Sequence, residues 1–388
     1  MARQGLRILM LGFYPAQEGM VLGGTQAVVS ALAPALSTNE DVAHVTVLSF
    51  HRGEVQSHNK QVNDKLLVRY VRGQKKLSVL TRSFLSVGRA RRIIAEVKPD
   101  IIHGHGMGWS GDIATQISPN AVVTVHGMIQ QEVRLASKGT LRDRLRIHFV
   151  DYMAKQVLSR ARVVVSISSY ASQMLNGMIR GHHVSIPNPI APEFFIEPGS
   201  DPGRKSVIFA GVLRRRKNVE GLLNAFKIAH KHHPDARFVI VGPTPDATYA
   251  QEIRDKVATL QLENAVDFVG YVENQRLAEE MHQARVVSLF SHEETLPTVI
   301  AQALAMGKPV VTSRVGGVAD MITDGENGFM VDPGDEQSFA ARLSTLLDSP
   351  ELCLKMGAEG RKIALQRFTP AAVARQTVDA YQLALPKV

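Results

Sequence analysis

Short apolar runs alternate with helix-spaced segments along the whole chain. In the first half the runs are RILMLGFYP (Arg7–Pro15), VAHVTVLSF, KPDIIHGH (Lys98–His105), AVVTVHG (Ala121–Gly127) and ARVVVSIS (Ala161–Ser168). After the first run a loop closes at Gly23-Gly24, and TQAVVSALAPAL then places its apolar residues at helical spacing. Runs of this length without polar alternation fit strands buried on both faces of a parallel sheet, and the helical segments between them supply the crossovers.

The rhythm restarts after IPNPIAPEFFIEPGSDPG (Ile186–Gly203), whose prolines and glycines mark a linker. SVIFAGVL, ARFVIVG, AVDFVGYV, RVVSLFS and KPVVTS read as further strands, with helices such as NVEGLLNAFKIAHKHHP between them. The expected fold is α/β: two Rossmann-like parallel domains, 1–190 and 191–367, facing a central cleft onto which the carboxyl ends of their strands open. A last helix within 368–388 is expected to pack back on the first domain.

Composition narrows the class. Of 388 residues 45% are hydrophobic and 21% charged, as in globular proteins rather than disordered ones. A single cysteine, Cys353, excludes a disulfide framework and a multi-cysteine zinc site, and fits a reducing, cytoplasmic setting. No apolar run reaches the roughly 18 residues of a spanning helix, and the N-terminal segment reads as a first strand rather than a signal peptide. The net charge of +9 is uneven: residues 1–190 hold 23 Lys and Arg against 11 Asp and Glu, the remainder 22 against 25. A basic first half suits an anionic partner. Nucleic acid is not expected, because no basic motif interleaved with aromatics accompanies the charge. The stretches SVGRARRIIAEVK and RLASKGTLRDRLRIHFVDYMAKQVLSRAR mix arginine with Leu141, Leu145, Phe149, Met153 and Val157. They read either as helices packed on their own sheet with a solvated basic face or as a docking face for an anionic membrane.

Chemistry concentrates in SHEETLPTVIAQALAMGKPVVTSRVGGVADMI (Ser291–Ile322). Pro297 suits the first turn of a helix, which then runs to about Ala305 and stops at Gly307. The amides around Leu296, Thr298 and Val299 become unpaired helix-start donors, a seat for a phosphate or a sugar hydroxyl. Glu294 precedes the helix and Gln302 lies within it, so they address different parts of a long ligand. Glu293 reads as a solvated acid. His103 and His105 read as packing or loop residues, His-Gly-His-Gly is not taken as a metal site, and the His230–His233 run reads as a solvated helix end.

ETLP-x4-QALAMGKPVV resembles the signature of retaining glycosyltransferases of the GT-B fold, family 4, in which two glutamates are separated by seven residues. FAGVLRRRKN, VGGVADMITDGENGFMVDPGD, KPDIIHGHG, TVHG, SIPNPI and LGGTQ are similar to further landmarks of that family, in order along nearly the whole chain. The resemblance implies that Glu294 contacts the donor sugar and that Gln302 takes the place of the glutamate on the ribose, with the loss of a charge. It puts Lys217 on the donor diphosphate, Gly23 and Gly24 against the donor phosphates, and His126 near the reacting sugar. It counts Gly270, Tyr271, Leu296, Pro297, Thr298 and Val299 among the donor contacts. The family's phosphate-binding arginine falls on Val212, leaving Arg214, Arg215 or Arg216 for that role, with Arg216 favoured.

The implied reaction is transfer of a hexose from a UDP- or GDP-linked sugar to a glycan or lipid-linked acceptor in bacterial surface polysaccharide or glycolipid synthesis. It would retain configuration and need no metal and no cofactor, with His126, Glu294 and Lys217 as the catalytic candidates. The rival reading is a non-catalytic sugar-nucleotide-binding partner of another transferase, which Gln302 and Val212 favour. An epimerase or phosphorylase on the same fold fits the motif set poorly. On the membrane reading, the chain sits peripherally at the inner face of the plasma membrane.

Overall fold

The computed structural model describes residues 5–17, 21, 23–51, 57–72, 84–128, 130, 133–134, 139–199 and 203–386. The chain forms two compact units. One holds residues 1–18, 22–189 and 370–388; the other holds 19–21 and 190–369.

Among the described residues, the first unit is built on an eight-stranded sheet. Its strands are β1 (Leu6–Leu11), β2 (Val42–His51), β3 (His58–Asn63), β4 (Leu66–Arg72), β5 (Ile101–His105), β6 (Ala121–Val125), β7 (Val163–Ser166) and β8 (His182–Ser185). The spatial order is β3-β4-β2-β1-β5-β6-β7-β8, with β3 antiparallel to β4 and the other pairs parallel. The chain winds outward from β1 through β2 and β4, then returns to β1's other side and winds through β5 to β8. The reversal falls between β1 and β5. In open α/β sheets, ligands bind at the carboxyl ends of the strands that flank such a reversal.

Ile8, Met10, Val45, Val47, Val68, Ile101, Val122 and Val163 are all buried at this sheet's core. Helix α1 (Gly24–Ser37) follows β1; α2 (Phe84–Val97), α3 (Trp109–Ile117), α4 (Leu141–Arg160) and α5 (Ser169–Met174) follow in turn. Val373, Val378 and Tyr381, from a helix at the far end of the sequence, complete the same core.

The second unit carries six parallel strands: β9 (Ser206–Ala210), β10 (Arg237–Val241), β11 (Val266–Gly270), β12 (Val286–Leu289), β13 (Val310–Ser313) and β14 (Gly328–Val331). Their order is β11-β10-β9-β12-β13-β14, so the winding reverses between β9 and β12. Helices α6 (Val219–His230), α7 (Ala247–Thr259), α8 (Asn274–Gln283), α9 (Thr298–Ala305), α10 (Glu336–Asp348) and α11 (Pro350–Arg367) cover it. Phe226 and Phe238 pack at 5.3 Å between centroids, and Phe290 and Phe339 at 4.5 Å. The chain then returns to the first unit, where α12 (Pro370–Ala384) packs on α1.

The structure departs from the sequence reading in several places. Strands β3, β4, β8 and β14 were not among the expected runs. The Ile186–Gly203 stretch is more than a linker: Ile190 and Phe194 are buried, and the Ile190 amide donates to Phe368 O. His233, expected on a solvated helix end, is buried. Its amide bonds Ala229 O while the chain turns from α6 toward β10, which carries the ring inward.

Candidate active site

In the second unit the loops that leave β9 and β12 flank the reversal, and both carry predicted site residues. After β9 a 3-10 turn over Arg215–Lys217 ends at Asn218, whose left-handed backbone (φ 49°) starts α6 and whose side chain caps the Gly221 amide. After β12 comes Ser291–Glu294, then α9. The two loops are pinned together, because the His292 amide donates to Arg216 O at 2.9 Å.

Glu294 lies at the centre, with its side chain 5% exposed. Lys217 Nζ donates to its Oε1 at 2.6 Å and Ser291 Oγ to the same oxygen at 2.7 Å. Arg216 Nη1 reaches Oε2 at 3.2 Å and also donates to Glu293 O. Burial alone would push this carboxyl upward. The Lys217 ammonium and Arg216 guanidinium outweigh that, so its pKa falls below the ordinary 4.5. Two cations on one carboxylate leave a net positive charge in a largely desolvated corner. That balance suits a polyanion, since Lys217 has further donors beyond the one on Glu294.

The Gly316-Gly317 turn closes over the same residue: Gly317 N donates to Glu294 O at 3.2 Å. Gly316 has φ +51°, and a Cβ there would collide with that carbonyl, so both its conformation and the close approach require glycine.

Pro297 is the N-cap of α9, one position earlier than expected, because its ψ of 115° is not helical and the helix begins at Thr298. Ile300 N folds back on Pro297 O. The amides of Thr298 and Val299 meet no acceptor among the described residues. Leu296 and Val299 are buried, and Thr298 and Gln302 are half-buried. Gly270 ends β11 and Tyr271 follows it on the same carboxyl edge, two strands from β9; burial pushes the Tyr271 phenol up. Of the three arginines, Arg216 is the one on Glu294. Arg215 turns away to Glu252 at 2.6 Å, and Arg214 is exposed. Ser291 is a site residue that sequence reasoning passed over.

The remaining predicted residues belong to the first unit. Gly23 caps α1 and Gly24 begins it; both are exposed, with open space where a side chain would stand. His126 follows β6. Its Nδ1 is 3.0 Å from Asn188 Oδ1 and its Nε2 is 2.9 Å from His105 Nδ1. His105 stacks on His103 at 4.3 Å, and His103 is held by Tyr381 Oη and Thr124 Oγ1, each at 2.8 Å. Burial lowers the His126 pKa to about 4, partly offset by the Asn188 bond. Burial, with help from His126, lowers His103 to about 3. His105 lies well below the ordinary value for the same reason, with His103 and His126 adding to it. All three imidazoles are neutral at pH 7.

Two family models match this chain. One, for glycosyl transferases group 1, covers residues 191–363; the other, for glycosyltransferase family 4, covers residues 22–194. Among characterised relatives, alpha-maltose-1-phosphate synthase of Mycolicibacterium smegmatis is 31% identical over 48% of this chain and 50% of its own length. The D-inositol 3-phosphate glycosyltransferase of Corynebacterium kroppenstedtii is 30% identical over 53% and 49%. The chain therefore spans about half the length of the curated relatives it matches. The fold is shared with sucrose-phosphate synthase from Thermosynechococcus elongatus (TM-score 0.80, 22% identity, 97% of this chain and 98% of that one). It is shared also with Anabaena HepE, solved with UDP and glucose (TM-score 0.71, 19% identity, 97% and 99%). With both halves matched in order and two parallel α/β units observed, the chain belongs to the family 4 glycosyltransferases of the GT-B fold.

Proposed function

We propose that this protein transfers a hexose from a UDP- or GDP-linked sugar to a glycan or lipid-linked acceptor, with retention of configuration and without a metal, in the assembly of a bacterial surface polysaccharide or glycolipid. The observation that carries this reading is the Arg216–Lys217–Glu294 cluster at the reversal of the second sheet, next to the free amides at the start of α9. As the glycosidic bond of a nucleotide sugar breaks, negative charge grows on the departing diphosphate. The Lys217 ammonium, the Arg216 guanidinium and the Thr298 and Val299 amides are preorganised to stabilise that charge, the kind of contribution that is usually the largest in catalysis.

Glu294 holds the two cations in place and keeps accepting capacity for a sugar hydroxyl, since a carboxylate offers about four lone-pair sites. Gln302 would bond the ribose without adding charge. With the incoming nucleophile held on the face the diphosphate leaves, that diphosphate can take the acceptor's proton, and no carboxylate nucleophile is required. The neutral histidine cluster in the first unit orients hydroxyls of the sugar or acceptor.

Purified full-length protein incubated with UDP- and GDP-sugars should release the nucleoside diphosphate, slowly to water and faster with a glycan acceptor. Binding of nucleotide without any such release would identify the non-catalytic partner instead.

The acceptor reading gains weight from α4. Leu141 is 75% and Leu145 64% exposed on one face of its first half, beside Arg142, Arg144 and Arg146, while its buried residues, Ala154, Val157 and Leu158, lie in the second half. An apolar pair flanked by arginines suits the headgroup region of an anionic membrane. Among the described residues no helix is long and apolar enough to cross one. Co-sedimentation with phosphatidylglycerol-containing liposomes at low salt, lost in a Leu141→Ser/Leu145→Ser variant, tests this contact; equal sedimentation of both proteins would refute it.

A further inference from the structure

Asn188, His126 and His105 form a hydrogen-bonded chain with one end unpaired. Asn188 presents Oδ1 to His126 Nδ1, so Nδ1 carries the proton and donates. In a neutral imidazole the other nitrogen is then bare, and His126 Nε2 accepts from His105 Nδ1. His105 has spent its proton on that bond, and its own Nε2 is left bare. This atom is buried and has no hydrogen-bond partner among the described residues. A buried polar atom without a partner is destabilising, so it calls for an explanation.

Its position supplies one. His105 is the last residue of β5, and β5 and β1 flank the reversal of the first sheet. The ring packs against Gly12, the residue after β1: a Cβ built on Gly12 would lie 3.6 Å from His105 Cδ2, the ring carbon beside Nε2. The open nitrogen therefore belongs to the carboxyl edge at the point where sheets of this kind take their ligands. A metal does not fit, because His126 and His105 spend nitrogens on each other and, among the described residues, no group of three ligating side chains is arranged to hold one.

We infer that His105, through Nε2, accepts a hydrogen bond from a hydroxyl of the sugar bound at this edge, and that Asn188 and His126 are positioning residues that fix its tautomer. This rests on the transferase reading above. It moves the ligand contact from His126, whose ring nitrogens are both engaged, to its neighbour. Neutral imidazoles suit the task, since a protonated ring would donate at Nε2 rather than accept.

Two measurements on the full-length chain test it. In 15N-histidine-labelled protein, long-range proton–nitrogen spectra should show His105 Nε2 unprotonated and His126 Nδ1 protonated, and the His105 Nε2 resonance should move when UDP-glucose, GDP-mannose or ADP-glucose is added. In turnover, His105→Asn keeps a donor for His126 but leaves nothing at the Nε2 position, and should lose about tenfold to a hundredfold in kcat/KM. His105→Gln places an amide near that position and should recover part of the loss, and UDP should still raise the Tm of both variants. A protonated His105 Nε2, a resonance unmoved by a nucleotide sugar that binds, or wild-type turnover in His105→Asn would each overturn the inference. Failure of all three nucleotide sugars and of UDP to bind the wild type would instead remove the transferase reading on which it stands.

Discussion

Lys217 Nζ stands 2.6 Å from Glu294 Oε1, although 77 residues separate the two in sequence. The pairing joins the loop after β9 to the loop after β12, so the fold's winding reversal and the cationic corner are the same place. Lys217→Ala removes an ammonium but leaves Glu294 bonded to Arg216 and Ser291. The variant should fold, with a circular dichroism spectrum like that of the wild type, and lose about a hundredfold to a thousandfold in transfer rate.

Glu294→Ala should behave in the opposite way, failing first in stability. It strands Lys217, whose side chain is 14% exposed, beside Arg216 with no counter-charge. Removing one partner of a buried pair costs about 3–5 kcal/mol. Urea denaturation should show a midpoint well below that of Lys217→Ala.

Much of this site was legible because its residues are clustered in sequence. Glu294 stands just before a helix start, where short-range rules look for a ligand contact, and Arg216 and Lys217 came from the resemblance of FAGVLRRRKN to the family's loop. Ser291 was missed because only the folded loop turns its hydroxyl onto Glu294. The histidine network was missed for a different reason: its partners are 21, 62 and 278 residues apart. A signal did exist, since residues two apart on a strand share a face, which puts His103 and His105 side by side. Among strands, the long apolar runs announced themselves. HNKQVN of β3 and HHVS of β8 are mostly exposed with little to bury, and GFMV of β14 opens on the glycine of a stretch read as an Asn-Gly turn.

Acid should destabilise the first unit. His103 and His126 fall from an ordinary 6.5 to about 3 and about 4 in the folded chain, and His105 shifts the same way. Between those values and 6.5 the unfolded chain binds more protons than the folded one. Stability is therefore at its fullest above 6.5 and declines as pH falls from there toward about 3. Tm measured from pH 7.5 to 4 should drop, and His126→Gln should flatten that slope.

Tyr381→Phe leaves His103 Nδ1 without its hydroxyl at a buried position and should cost about 1–3 kcal/mol. Because Tyr381 lies on α12, the loss also reports how firmly the end of the chain is seated on the first unit. Chemical denaturation checks it.

On the proposed function, a nucleoside diphosphate binds at the carboxyl edge of the second sheet against Lys217. Isothermal titration of UDP, GDP and ADP into the full-length protein and its Lys217→Ala variant tests it most directly. One diphosphate should bind the wild type clearly more tightly than the matching monophosphate, and this advantage should disappear in Lys217→Ala. Equal affinity for mono- and diphosphate, or an advantage untouched by the substitution, would contradict it.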